Sequence, residues 1–211
     1  MCQLKSGIIF KNRVFVPEYD SHTEMLEELG IKDDYLNASK TFVRVELLPT
    51  NGDVFSDIDT WKLRVDQDIT PEWYDEDTYK PQVVEAVKVW AKDHIHIGVD
   101  TLKISAGRNQ YIKDCKDVQI CGNATVENIC GNATVENIYG NATVENICDN
   151  ATVENAKGAS VIIGSEYGWN KKDTLILAEN ATFKDCQTKT IYQSGDWKLV
   201  GAESKNKIEK E

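Results

Sequence analysis

An α+β domain followed by a β-solenoid (β-helix) is the fold class that three observations predict. A nonapeptide repeats in the second half of the chain, β-branched residues alternate inside each copy, and the first half shows mixed helix and strand signals without repetition. Four consecutive copies run over residues 122–130, 131–139, 140–148 and 149–157, sharing G/D-N-A-T-V-E-N-I-C/Y and decaying at Ala156-Lys157. Near-identity of neighbours excludes chance, so the repeat dictates the architecture.

The first half is read in order. Gly7 to Val16 predicts a hairpin around Lys11-Asn12. Ser21 with Glu24 three residues on is a capping box that opens a short helix, and Gly30 closes it. Val43, Val45 and Leu47 alternate as a strand ending at Pro49 to Gly52, and Trp61, Leu63 and Val65 alternate as another. Pro81 is placed near the start of a helix that reaches about His94, with Val83, Ala86, Val87 and Trp90 on one face. Residues 1–98 are therefore assigned to an α+β domain that could cap the solenoid edge.

Within a repeat, Ala124 and Val126 alternate with Thr125 and Glu127, as a strand requires, while Gly-Asn and Asn128 supply turn chemistry. Nine residues are too few to close a coil around a core. Two copies give an 18-residue coil, which stacks Asn123 under Asn141, Val126 under Val144 and Cys130 under Cys148 at about 4.8 Å. A helix is excluded because Gly and Asn recur every ninth position. The solenoid is placed at residues 99–200, with one irregular coil over 158–178 and a charged tail at 201–211.

The chain has 211 residues, 24 basic against 35 acidic, and a net charge of −11. That balance argues against direct binding to nucleic acid or an anionic membrane, which needs clustered Lys and Arg. No apolar run approaches a transmembrane length. Six cysteines without an export signal or C-x-x-C spacing are read as reduced thiols, with the Cys130/Cys148 stack as small apolar filling. Four N-x-T sequons recurring every nine residues would crowd glycans in a secreted eukaryotic protein. The expected location is the cytoplasm of a bacterial host cell.

Motifs that carry chemistry are scarce. The unit lacks the Asp that calcium-loaded nonapeptides use, and stacked Asn amides have a structural role. His94 and His96 form an H-x-H that could share a metal with Asp93, Asp100 or His22, but no third ligand has convincing spacing. No cofactor, no metal and no catalytic residue are expected, and the protein is read as a non-enzyme. The feature that exceeds background is acidity. Nine carboxylates (Asp53, Asp57, Asp59, Asp66, Asp68, Glu72, Asp75, Glu76 and Asp77) face only Lys62 and Arg64 across 25 residues. Trp73 and Tyr74 lie inside this run as candidate interface anchors. In the solenoid, Glu127 stacks with Glu145 and Glu136 with Glu154, one row on each of two faces. Such rows either keep a β-rich surface soluble or dock on a basic partner.

The GNATVEN units resemble tandem repeats in proteins of phages, prophages and gut Firmicutes, and the segment Asp53 to Asp68 resembles stretches found beside such repeats. No established activity accompanies that resemblance, so it implies a phage or bacterial setting and transfers no site residue. Acidic pentapeptide-repeat solenoids that mimic DNA offer an analogy only, because their period differs. The leading expectation is a phage-type inhibitor, directed against host defence such as CRISPR or restriction nucleases, that occupies a basic nucleic-acid-binding surface. The acidic residues named above are its contacts, and the solenoid is also a candidate homodimer surface. The alternatives are a nucleotide- or sugar-binding sponge with pockets lined by Trp61, Tyr167 or Trp169, and a structural or virion scaffold.

Overall fold

A computed structural model describes residues 5–158, 160–164, 176–177, 179–185 and 190–193. The chain divides into two compact units, residues 1–95 and 96–211.

The first unit is built on a four-stranded antiparallel sheet in the order β2-β1-β3-β4. Its strands are β1 (Lys5–Phe10), β2 (Arg13–Phe15), β3 (Phe42–Leu48) and β4 (Lys62–Val65). The hairpin turns at Lys11-Asn12, with Phe10 opposite Arg13. Alternation along β1 sends Ile8 to one face, where it packs with Met25 and Leu26 of α1 (His22–Glu28), Ala38 of α2 (Tyr35–Ala38) and Phe42. Lys5 points to the other face, where its ammonium lies 4.8 Å from the Trp90 ring of α3 (Glu76–His94).

The capping box opens α1 as its spacing predicts, the Ser21 hydroxyl accepting from the Glu24 N–H at 3.2 Å. Helix α3 starts earlier than Pro81 suggests. Asp75 caps it by accepting from the Thr78 N–H at 3.0 Å, and Pro81 falls inside the helix. The proline deprives the Asp77 carbonyl of its intrahelical donor, but both residues are exposed, so water can satisfy it. Val83, Val87 and Trp90 are buried as the periodicity requires, together with Val84, while Ala86 is half-buried.

The second unit is a β-solenoid of parallel strands in two sheets. Strands β5 (Ile95–Ile97) and β7 (Gln110–Lys113) belong to one sheet, and β6 (Leu102–Ile104) to the other. Odd-numbered repeats form β9 (Thr125–Cys130) and β11 (Thr143–Ile147) in one sheet, and even-numbered repeats form β10 (Thr134–Ile138) and β12 (Thr152–Ala156) in the other. Register confirms the 18-residue coil: Val126 pairs with Val144, Ile129 with Ile147, and Val135 with Val153. The inward rows continue through Ile162 and Phe183 on one side, and through Val118 and Leu102 on the other. Ala124, Ala133, Ala142 and Ala151 sit wholly buried at the corners. Beyond β13 (Val161–Gly164), β15 (Thr182–Asp185) takes an antiparallel partner in β16 (Thr190–Gln193), which ends that sheet. The tail predicted at 201–211 and most of the irregular coil lie outside the described residues.

One corner admits only glycine. Gly122, Gly140 and Gly158 have φ of +63°, +80° and +77°, and a Cβ on Gly140 would come within 3.0 Å of the Gly122 backbone. Gly140→Ala therefore combines a backbone cost of about 1–2 kcal/mol with an overpacking cost of about 1 kcal/mol or more. Gly30→Ala, at φ +65° with nothing within 4 Å, incurs the backbone cost alone. Urea denaturation should rank Gly140→Ala clearly below Gly30→Ala in stability.

Candidate interaction surface

The structure sorts the acidic run into committed and outward carboxylates. Asp53 accepts from the Phe55 N–H at 2.9 Å, Asp57 from the Asp59 N–H at 3.1 Å, and Asp75 caps α3. These side chains fold the chain locally, as Asx turns and N-caps do. Asp59 holds Lys88 at 2.6 Å, and that bond raises the Lys88 pKa. Asp66 faces the His22 ring at 3.2 Å. Asp68, Glu72, Glu76 and Asp77 are exposed, and among the described residues none of their side chains makes a hydrogen bond or ion pair. Glu76 and Asp77 occupy the first turn of α3, where the helix dipole favours negative charge.

The two candidate anchors, Trp73 and Tyr74, are both engaged in packing within the first unit. Trp73 is half-buried, donates from Nε1 to the Lys40 carbonyl at 2.8 Å, and packs edge-on against Tyr79 with centroids 5.6 Å apart. Tyr74 stacks on the same ring at 6.0 Å. Burial, then the nearby Glu76 and Asp75 charges, pushes the Tyr74 phenol up to about 12. Trp61, suggested as a pocket lining, is wholly buried and donates to the Ser56 hydroxyl at 2.9 Å, so it lines no accessible pocket. Tyr167 and Trp169 lie outside the described residues.

The H-x-H residues are engaged separately. His94 is buried, with Nδ1 2.8 Å from the Trp90 carbonyl and Nε2 2.8 Å from Glu18. His96 meets Gln110 at 3.0 Å.

On the solenoid, register places Glu127 level with Glu145 and Glu136 level with Glu154, in the two different sheets. Glu145 and Glu154 are exposed, whereas Glu127 and Glu136 are half-buried. Between the coils, Asn141 donates to Asn123 at 3.2 Å, Asn146 to Asn128 at 2.7 Å, and Asn150 to Asn132 at 3.3 Å. Asp114 and Asp149 extend the negative edge, accepting from the Asn132 and Gly131 N–H groups respectively.

The cysteine stack corrects the expectation of reduced thiols throughout. Cys130 and Cys148 form a disulfide between adjacent coils, with Cα atoms 4.9 Å apart. Parallel register brings equivalent positions to strand spacing, which falls within disulfide reach. At the opposite corner the same repeat position holds Cys121, Tyr139 and Lys157. The Tyr139 phenol is raised chiefly by its hydrogen bond with Cys121, and Lys157 lies 5.7 Å from its ring centroid. Cys115 and Cys121 are buried free thiols.

Residues 118–128 match the family described as YdcK beta solenoid repeat. The chain is similar to that repeat over β8 (Val118–Ile120), the turn after it and the start of β9. No curated protein and no solved structure matches the chain. Among the described residues no helix is long and apolar enough to cross a membrane.

Peptide mapping without reductant should recover a cross-linked Cys130/Cys148 pair. Reduction, or the Cys130→Ser/Cys148→Ser double variant, should lower stability by about 3 kcal/mol, as expected for a link closing a loop of this size.

Proposed function

We propose that this protein is a non-enzymatic acidic binding protein that occupies a basic, nucleic-acid-binding surface on a host protein. Inhibition of a host defence nuclease, in a phage–bacterium setting, is the role we assign to it. The observation that carries this proposal is the registered stacking of glutamates in both sheets of the solenoid, in a stretch from Asp117 to Glu154 that has six acidic residues and no Lys or Arg. Like charges at strand spacing repel, and at the exposed Glu145 and Glu154 solvent screening or a basic partner relieves that repulsion. A rigid scaffold holds them at fixed intervals, which lowers the ordering cost of docking on a cationic groove. Asp68, Glu72, Glu76 and Asp77 add a second acidic patch on the first unit, whereas the committed carboxylates contribute field without being available as direct contacts. Electrostatic steering should make association fast and salt-sensitive.

The test is a tagged pull-down from bacterial lysate at low salt, followed by competition with duplex DNA and by charge reversal. The reading expects a retained nucleic-acid-binding protein that DNA displaces. Glu145→Lys/Glu154→Lys should weaken that complex at least about tenfold, the scale of a lost close charge pair. Unchanged affinity in both that variant and Asp68→Lys/Asp77→Lys would remove the proposal. Reversal of Asp75 is unsuitable for this purpose because it would uncap α3.

A further inference from the structure

Beneath α1, three chain-distant residues converge on one point of the first unit. His22 is the first residue of α1, Glu46 lies in β3 and Asp66 directly follows β4. One ligating atom from each lies within 4.8 Å of the others. His22 and Glu46 are 6% and 1% exposed, while the Asp66 side chain is 46% exposed and opens the cluster to solvent.

The proton arrangement at His22 follows from its partners. Nε2 lies 3.0 Å from the Val45 carbonyl oxygen, which can only accept, so Nε2 carries a hydrogen. Nδ1 lies 3.2 Å from Asp66 Oδ2, also an acceptor. A ring-nitrogen lone pair facing a carboxylate lone pair requires a cation between them, either a proton or a metal. Anchoring of the distal ring N–H on a backbone carbonyl is the arrangement that orients metal-ligating histidines.

Two further observations favour the metal. Ser6 pairs with Glu46 in the β1–β3 register, so both side chains emerge on the face that α1 covers. Ser6 is 1% exposed, and its hydroxyl has no hydrogen-bond partner among the described residues. An orphaned buried hydroxyl beside a buried carboxylate marks a place where a ligand, or a water bound to it, completes the bonding. Charge also permits a divalent ion. Arg64 bonds Oε2 of Glu46, and a carboxylate has lone pairs for both a guanidinium and a metal. With Arg64 included, neutral His22, Glu46 and Asp66 sum to one negative charge.

We infer that His22, Glu46 and Asp66 form a binding site for a divalent transition metal, with the Ser6 hydroxyl as a neighbouring fourth donor. One imidazole and two carboxylates suit zinc, manganese or iron(II) better than calcium, which takes an all-oxygen shell. The ion would tie the start of α1 to the central strand β3 and to the end of the edge strand β4. This site is independent of the acidic docking surface.

The experiment is equilibrium dialysis of the full, non-reduced chain against zinc, with a parallel cobalt(II) spectrum. One equivalent should bind with no thiolate charge-transfer band, which distinguishes this site from the Cys130, Cys148 and Asp149 set. Asp66→Asn, chosen because Asp66 is exposed and tolerates the change, should weaken binding about 100-fold, and zinc should raise the thermal midpoint of the parent but not of this variant. His22→Gln should do the same if it folds. Absence of binding in the parent, or equal affinity in Asp66→Asn, would overturn the site and leave a protonated His22 paired with Asp66.

Discussion

Backbone hydrogen bonding between successive coils is the constraint on which the second unit depends. Asn141 N–H donates to the Gly122 carbonyl at 2.8 Å, Thr152 to Ala133 at 2.8 Å and Val161 to Ala142 at 3.0 Å. Because the strands are parallel and in register, like residues fall beside like. That suits valine, isoleucine and alanine, which interlock into a continuous core. It suits asparagine, which is both donor and acceptor and can bond its own copy. Glutamate has no such complementarity. The repeat thus stabilises itself at its inward and corner positions and carries an electrostatic penalty at its outward ones.

The first unit handles its acidity differently. Much of its negative charge is spent on local geometry, since Asp53, Asp57 and Asp75 all satisfy backbone N–H groups that the turns and helix start leave unpaired. Its polar groups also penetrate the sheet layer. Lys5 is buried beside Asp20, to which it donates at 2.8 Å, and burial outweighs that partner so that the lysine pKa is lowered. Net charge alone would have described both units as acidic surfaces. Only the hydrogen-bond partners separate carboxylates that build the chain from those that face outward.

What the sequence revealed follows the same division. The coil length, the two-sheet arrangement and the pairing of equivalent positions were legible because identical copies leave few ways to bury Val126 and Ile129 together. The hairpin and the α1 cap were legible because each rests on contacts within a few residues. The start of α3 was not, since Asp75 as a cap overrides the boundary that Pro81 suggests. The packing of Trp73 and Tyr74 was not legible, because it depends on Tyr79 of the following helix, whose ring meets both. The convergence of His22, Glu46 and Asp66 has no signature spacing, because it depends on β3 and β4 lying side by side. The disulfide was implicit in the stacking of Cys130 with Cys148, but the expectation of a cytoplasmic location pointed away from it.

The alternation of repeats between two sheets has a hereditary consequence. Tandem near-identical segments are prone to slippage when copied, gaining or losing units. Loss of one nonapeptide would transfer every later copy to the opposite sheet and would bring position 148 next in line to 130 along the coil instead of above it. Loss or gain of two copies would restore every vertical partner. Lineages of this solenoid should therefore keep the Cys130/Cys148 column only where they grow or shrink by whole coils.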